Sequence, residues 1–426
     1  MLKKLRIASW CLFDFGSTAF MMNIVSSAFP QWLSQTFGKE SADSNIGIIT
    51  GICYILCFFL YPLTGKICDK GWKLFPLFIL TLLSILGTGL LGCDAPLWCA
   101  AILFIIAYLT YQLGLTFYTA LLDDISTPES YGIVSGLGVA IRYLGAMFGL
   151  FMTIFFIDGS KQTALPQELQ ALLVKPLEAG QTDYINAFLP TAILYALCTL
   201  PLFLLIRPKK VATISQESSV SILSVFIDSY KNKNTFWLLV SLFLTGIPVY
   251  AAVSFMTIVL TEIGQIPAGE VNNFLVFLIP CAVASGLIFG LFLRAMGNKL
   301  AFYITAILWF IAMFLGTFVS GSLSMWFIGA LAGVGMGAYW TVSRILILDV
   351  APKEQQGGYL ALLFLMMVVC GVVASLVLWP GVIEVTKLLQ SNNIIPTFIV
   401  QRASMGVIAI LTFLGIFTYR KVSWTK

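Results

Sequence analysis

The sequence contains no histidine, which removes imidazole from any proton relay or metal site and leaves carboxylates to carry protons. Without histidine there is no H-E-x-x-H helix, and no other metal-ligand cluster stands out for an intramembrane hydrolase. A G-x-x-x-x-G-K-[ST] loop is also missing, which argues against an ATP-driven pump in this chain. The nine cysteines (Cys11, Cys53, Cys57, Cys68, Cys93, Cys99, Cys198, Cys281 and Cys370) form no C-x-x-C pair and lie mostly in apolar stretches, as small membrane hydrophobes do. The glycines of Gly333-Val-Gly335-Met-Gly337 follow no strand, so they read as helix packing rather than a dinucleotide turn. No cofactor, no metal and no enzymatic activity are expected.

Charge is scarce as well. Charged residues make up 10% of the chain and hydrophobic ones 59%, against about 25% charged in a soluble domain, and the mean hydropathy is +0.96. In lipid every backbone N–H and C=O must be satisfied within the structure, so only helices and closed barrels span. The apolar runs here are about 20 residues long without period-two alternation, which selects helices. The expected fold class is an all-α integral membrane protein. Twelve spans are predicted near Ile7–Leu33, Gly47–Gly65, Leu74–Gly92, Leu97–Leu122, Tyr131–Ile157, Ala187–Ile206, Phe236–Thr261, Val271–Leu293, Leu300–Ser320, Leu323–Leu348, Tyr359–Val382 and Thr397–Tyr419. The first reads as a permanent span, because it is too long for a signal peptide, contains Asp14 and lacks a small-residue cleavage site.

The net charge of +5 does not point to nucleic acid, since the Lys and Arg residues are dispersed beside apolar segments with no interleaved aromatic stripe. It orients the chain instead. With a cytoplasmic N-terminus, roughly 17 of the 24 Lys and Arg fall in cytoplasmic segments, so both termini are expected in the cytoplasm, in a bacterial inner membrane. The polar, basic stretch Arg207–Asn234, with Ser215, Ser218, Ser219 and Ser221, separates six spans from six. The expected division is a bundle over 1–206, a linker over 207–235 and a bundle over 236–426. Duplication is supported by spacing: Gly65 to Gly290 and Asp124 to Asp349 are the same distance apart. The segment Asp158–Asn186 is expected to be a connecting loop with a short turn from Pro166.

Polar residues inside spans carry the functional reading. Asp14 lies about seven residues, roughly 10 Å, into the first span, where it needs a partner, a proton or water. Ser17 and Thr18 share its side, and the competing reading is a structural carboxylate. Arg142 lies near the middle of the fifth span on a stripe with Ser135, Gly138, Gly145 and Gly149, so it should face protein or a cavity. A guanidinium keeps its charge, leaving two compatible roles: pairing with a carboxylate such as Asp14, or binding an anionic group of a substrate. Gln112, Thr116, Thr119 and Asp123 fall on one stripe of the fourth span beside Tyr111 and Tyr118. Trp340 and Arg344 share a stripe of the tenth with Gly333 and Gly337. These faces, with Tyr250 next to Pro248, suit a pore-facing wall, or alternatively ordinary packing. Pro248 itself predicts a local break or a simple kink. Asp69, Lys73, Asp123, Asp124 and Asp349 lie at or beside helix ends, where they suit gate latches.

These residues resemble the major facilitator superfamily, and within it the vacuolar amino-acid effluxers of autophagy and their bacterial relatives. The likeness rests on Trp10-Cys-Leu-Phe-Asp14-Phe-Gly-Ser17, Pro62-Leu-Thr-Gly65-Lys-Ile-Cys-Asp69-Lys, Phe117-Tyr-Thr-Ala-Leu-Leu-Asp123-Asp124-Ile, Ser135-Gly-Leu-Gly-Val-Ala-Ile-Arg142-Tyr-Leu-Gly and Tyr339-Trp-Thr-Val-Ser-Arg344. The resemblance implies two six-helix bundles working by alternating access, the Gly65–Lys73 loop as a latch, and amino acids or similar nutrients as substrate. The chain departs from the pattern at Thr119, where relatives commonly carry Asn, at Arg142, where a small or apolar residue is usual, and near Tyr250, where an Asp-Gly pair is lacking. The expectation is a monomeric secondary transporter in membrane lipid, taking a small polar or anionic solute with proton coupling through Asp14. An exporter of drugs or siderophores and a non-transporting receptor or scaffold are the alternatives.

Overall fold

The computed structural model describes residues 2–93, 96–162, 166–207, 232–266, 271–319, 321–391 and 400–423. Among these the chain is all-α, and extended backbone pairs only in an isolated bridge between Asp158 and Thr182. The helices are α1 (Leu2–Phe20), α2 (Phe29–Phe37), α3 (Lys39–Asp69), α4 (Leu74–Leu90), α5 (Leu97–Ala120), the short α6 (Leu122–Ile125), α7 (Tyr131–Ile157), the short α8 (Gly159–Gln162) and α9 (Gln167–Leu173). They continue as α10 (Phe188–Leu205), α11 (Lys233–Ile258), α12 (Val271–Phe318), α13 (Ser322–Val350), α14 (Gln356–Val372), α15 (Trp379–Ser391) and α16 (Val400–Tyr419). Among the described residues nine helical stretches are long and apolar enough to cross a membrane, and Leu74–Leu90 and Phe277–Leu293 are shorter apolar helices.

Four rods depart from a simple span. Between α1 and α2 the chain widens into π-type turns over Met21–Ala28, as it does at Val259–Ile263 after α11 and Val373–Leu378 between α14 and α15. Such turns insert a residue into the i→i−4 ladder without breaking the rod. α12 joins two expected spans through Gly297, whose φ of +74° bends the chain where L side chains are strained. With the first rod, α1 through α2, these helices are consistent with the twelve spans read from hydropathy. Most of the expected linker, residues 208–231 with Ser215, Ser218, Ser219 and Ser221, lies outside the described residues.

Two compact units emerge: Met1–Pro128 with Ile141–Ser218, and Glu129–Ala140 with Ser219–Lys426. In the first, small residues let helices approach. A Cβ at Gly87 on α4 would meet the Leu103 carbonyl oxygen of α5 at 2.9 Å, and Ser84 donates to the Ala107 carbonyl at 2.9 Å. In the second, α12 and α13 meet backbone to backbone. A Cβ at Gly333 would lie 3.0 Å from the Leu278 carbonyl oxygen, and one at Gly337 would overlap that of Ala282. The N-terminal turns of α7 belong to this unit, with a Cβ at Gly132 reaching 2.8 Å from the Gly290 carbonyl oxygen of α12. Small residues of this kind favour helix packing where lipid removes a hydrophobic drive between helices.

Large apolar side chains remain on the outside, among them Phe59 at 68% and Leu197 at 64% exposure. On a water-soluble chain such surface would mark an interface or an aggregation hazard; here lipid covers it.

The segment expected as a loop after α7 is a folded cap of the first unit. α9 begins after Pro166, as the proline predicts, but two buried amides organise the rest. Gln162 donates to the Phe156 carbonyl at 2.7 Å and accepts from the Leu177 N–H at 3.1 Å. Asn186 accepts from the Lys175 N–H at 2.7 Å and donates to its carbonyl at 3.0 Å. Gln35 of α2 donates to the Thr182 carbonyl at 3.0 Å, tying the cap to the first rod.

Candidate functional site

The candidate site of the first unit is built on a clamp between α1 and α5. The Trp10 indole N–H donates to the Tyr118 carbonyl at 3.0 Å, and the Tyr118 hydroxyl donates to the Trp10 carbonyl at 3.1 Å. Their rings stack at 4.6 Å, with Phe13 stacked on Tyr118 at 4.9 Å. Each polar tip thereby satisfies a backbone carbonyl deep in apolar surroundings, which fixes the register of α1 one turn before Asp14.

On the other side of α1 lies α7. A Cβ at Gly145 would overlap the Phe15 carbonyl oxygen, and one at Gly149 would sit 3.0 Å from that of Ala19. The glycine stripe thus brings the two backbones together at the height of the charges. Asp14 is fully buried and Arg142 nearly so. Arg142 Nε and Nη2 donate to Asp14 Oδ1 at 2.9 and 2.7 Å. Isolated, either ion would be very costly to bury; paired, each offsets much of the other's desolvation, and removing one partner strands the other.

Aromatics surround the pair. Tyr111 and Tyr118 lie within electrostatic reach of Arg142, and Tyr195 of α10 within reach of Tyr111 and Asp14. Phe20 stacks on Tyr195 at 5.6 Å and meets Tyr111 at 5.5 Å. The buried hydroxyls of Thr18, one turn beyond Asp14, and Thr119, next to Tyr118, have no hydrogen-bond partner among the described residues. Further along the same seam Asn23 donates to Thr191 Oγ1 at 2.6 Å and accepts from the Thr153 hydroxyl. Tyr195 and Asn23 escaped the sequence reading. Asn23, a buried amide in a span, carried a usable signal, whereas Tyr195 looks like any aromatic in an apolar run.

Other candidates stand elsewhere. Gln112 donates from Nε2 to the Tyr108 hydroxyl at 3.3 Å, its backbone carbonyl accepts from the Tyr61 hydroxyl of α3 at 3.0 Å, and the Thr64 hydroxyl meets that of Thr116 at 3.3 Å. The α5 stripe therefore meets α3 at the Gln112 backbone and the Thr116 side chain. In the second unit Tyr250 and Trp340 meet edge to face at 6.4 Å, and the Tyr339 hydroxyl donates to the Leu242 carbonyl at 3.0 Å. Arg344 is fully buried, and beside it the Ser343 hydroxyl has no hydrogen-bond partner among the described residues. Pro248 sits inside α11 without ending it.

Helix-end residues are joined in both units. Lys73 Nζ donates to Asp124 Oδ2 at 3.0 Å and to the Ala120 carbonyl at 3.1 Å. In the second unit the Asn298 amide donates to Asp349. Asp69 ends α3, and Asp123 is half-buried beside Asp124.

Comparison with known proteins agrees with this architecture. The Major Facilitator Superfamily matches over residues 16–375. An uncharacterized protein of Aquifex aeolicus (strain VF5) is 25% identical over 358 residues, 83% of this chain and 82% of its own. Among solved structures, the E. coli fucose:proton symporter superposes with a TM-score of 0.72 at 15% identity over the whole of both chains. A bacterial homologue of the iron transporter ferroportin, outward-facing, gives 0.69 at 14% identity over 99% of each. The human organic anion transporter MFSD10 gives 0.70 at 11% identity over 98% of each. At such identities the structures establish the fold alone, and the sequence match establishes the family: the chain belongs to the Major Facilitator Superfamily.

Proposed function

We propose that this protein is a secondary transporter that moves a small polar or anionic solute across the bacterial inner membrane by alternating access, with Asp14 and Arg142 at the heart of its solute site. The observation that carries the reading is the buried pair itself. The cost of holding two ions in a membrane span is hard to justify for structure alone when intramembrane ionisable groups so often mark substrate and proton paths. An anionic group of the solute would exchange with Asp14 as partner of Arg142, and a released Asp14 would then take up a proton, coupling uptake to the proton gradient. The hydroxyls of Thr18 and Thr119 suit the solute's polar groups, and Tyr111, Tyr118 and Tyr195 supply contact area. In the second half, which we place at 236–426 after a 207–235 linker, the Tyr250, Trp340 and Arg344 wall would complete recognition. Lys73 with Asp124, and Asn298 with Asp349, would act as latches at the cytoplasmic helix ends. Amino acids fit the charge pattern as zwitterions; so do small carboxylates. The working unit is a monomer, with both termini cytoplasmic.

The test is a thermal-shift screen of the purified protein against amino acids, small carboxylates and hexoses, repeated on the double variant Asp14→Asn with Arg142→Gln. A ligand that binds only the folded state raises apparent stability by mass action. We expect a carboxylate-bearing compound to stabilise the wild type and not the double variant. Stabilisation of both alike would remove the pair from the site.

A further inference from the structure

Where α3 hands over to α4, the first unit holds a cavity of about 510 Å³ that the transport reading does not use. Its walls are aromatic. Trp72 and Phe75 meet at 6.5 Å, Phe78 and Phe203 at 5.2 Å, and all four line the space with Lys73. Trp72 and Phe75 are 61% and 63% exposed, an unfavourable arrangement against water at the end of a spanning helix and a natural one at the lipid boundary. Gly71, with φ of +84°, makes the turn that places Trp72 and Lys73 there.

The polar end of the groove is cationic. An ammonium has three donors, and Lys73 commits two, to Asp124 Oδ2 at 3.0 Å and the Ala120 carbonyl at 3.1 Å, while still lining the cavity. Arg6 donates from Nε to the Leu205 carbonyl at 3.2 Å, two residues beyond Phe203, and exposed Arg207 follows. An aromatic trough that opens to lipid and ends at the Lys73 ammonium, with Arg6 and Arg207 at the end of the helix that supplies Phe203, matches one kind of molecule: an acyl chain carrying a net negative headgroup. A zwitterionic headgroup would bring its own cation toward the Lys73 ammonium.

We infer that this groove binds an anionic phospholipid, whose phosphate takes the remaining Lys73 donor and whose acyl chain lies along Phe75, Phe78 and Phe203. The positive-inside reading makes its source the cytoplasmic leaflet. Occupancy sets a second anion on the ammonium that holds Asp124, so this lipid would tune the latch whatever the solute is.

The full chain is reconstituted with phosphatidylglycerol or phosphatidylcholine brominated in the acyl chain, and the quenching lost in Trp72→Phe is taken as the Trp72 signal. A roughly fivefold preference for the anionic lipid is expected, the worth of one basic residue near a membrane surface. Lys73→Gln should abolish the preference. Arg207→Gln, which leaves the Asp124 contact intact, should reduce it, so a folding defect in the first variant does not decide the matter. Equal quenching by the two lipids, or a preference that survives Lys73→Gln, overturns the inference. Loss of the preference on adding inorganic phosphate would assign the site to a free anion and overturn the lipid assignment.

Discussion

The same number of residues separates Lys73 from Asn298 as separates Asp124 from Asp349. Each pair is joined across the same helix ends of its own unit, the first as an ion pair and the second as an amide–carboxylate hydrogen bond. Each is preceded by a glycine of positive φ, Gly71 or Gly297. The two units thus keep one device with two chemistries. Their interiors diverge further. The first buries a bonded carboxylate and guanidinium between α1 and α7, whereas α11 of the second carries Thr245, Pro248 and Tyr250 and no ionised residue between Lys233 and Ile258. The second unit's buried cation, Arg344, lies on α13 instead, so the two units place their buried charge on different helices.

The comparison breaks most severely at Asp14. Asp14→Asn leaves the Arg142 charge buried without its carboxylate and should cost about 3–5 kcal/mol. Adding Arg142→Gln should restore most of that stability, which thermal unfolding in one detergent would show. A single variant as stable as wild type would mean that water already reaches the pair. Next in size are the close helix contacts, where the units should behave alike. Gly145→Val in the first and Gly337→Val in the second each force apart touching backbones, at about 1–3 kcal/mol or more. The latches should then differ. Lys73→Gln should cost about 1–3 kcal/mol in stability, because it strands the nearly buried Asp124 carboxylate, whereas Asn298→Ala, facing the exposed Asp349, should cost less. Salt should weaken the first contact more than the second, as seen in unfolding at rising ionic strength. Smallest are the tyrosine struts. Tyr118→Phe and Tyr339→Phe each remove one hydroxyl from a buried carbonyl and should each cost about 1 kcal/mol.

Much of this was legible in the sequence because lipid imposes simple rules. Apolar run length located the rods, and charge inside a run singled out Asp14 and Arg142. The glycines at Gly145 and Gly149 implied a close neighbour for the Arg142 face, and that neighbour is α1. What stayed hidden is rotation about the helix axis in a rod that is apolar all round. The Gln112 and Thr116 stripe suited a pore wall or ordinary packing, and its Thr116 hydroxyl meets Thr64 of α3. Hydropathy cannot rank faces of α5, whose protein-facing and lipid-facing side chains are both apolar. The π-type turns at Met21–Ala28 and Val259–Ile263 were equally invisible, since a single inserted residue leaves no compositional trace. The ordered cap after α7 was missed because its organisers, Gln162 and Asn186, act through backbone contacts that residue type alone does not announce.

The central claim is that the Asp14–Arg142 pair serves solute movement and is more than a structural contact. Proteoliposomes with an imposed inward proton gradient, bathed in a defined mixture of amino acids, small carboxylates and hexoses, would report by mass spectrometry which compound accumulates. The comparison is between wild type and the folded double variant Asp14→Asn with Arg142→Gln. The account predicts that wild type concentrates a carboxylate-bearing solute and that the double variant does not. Gradient-driven accumulation of the same compound, undiminished in the double variant, would contradict it.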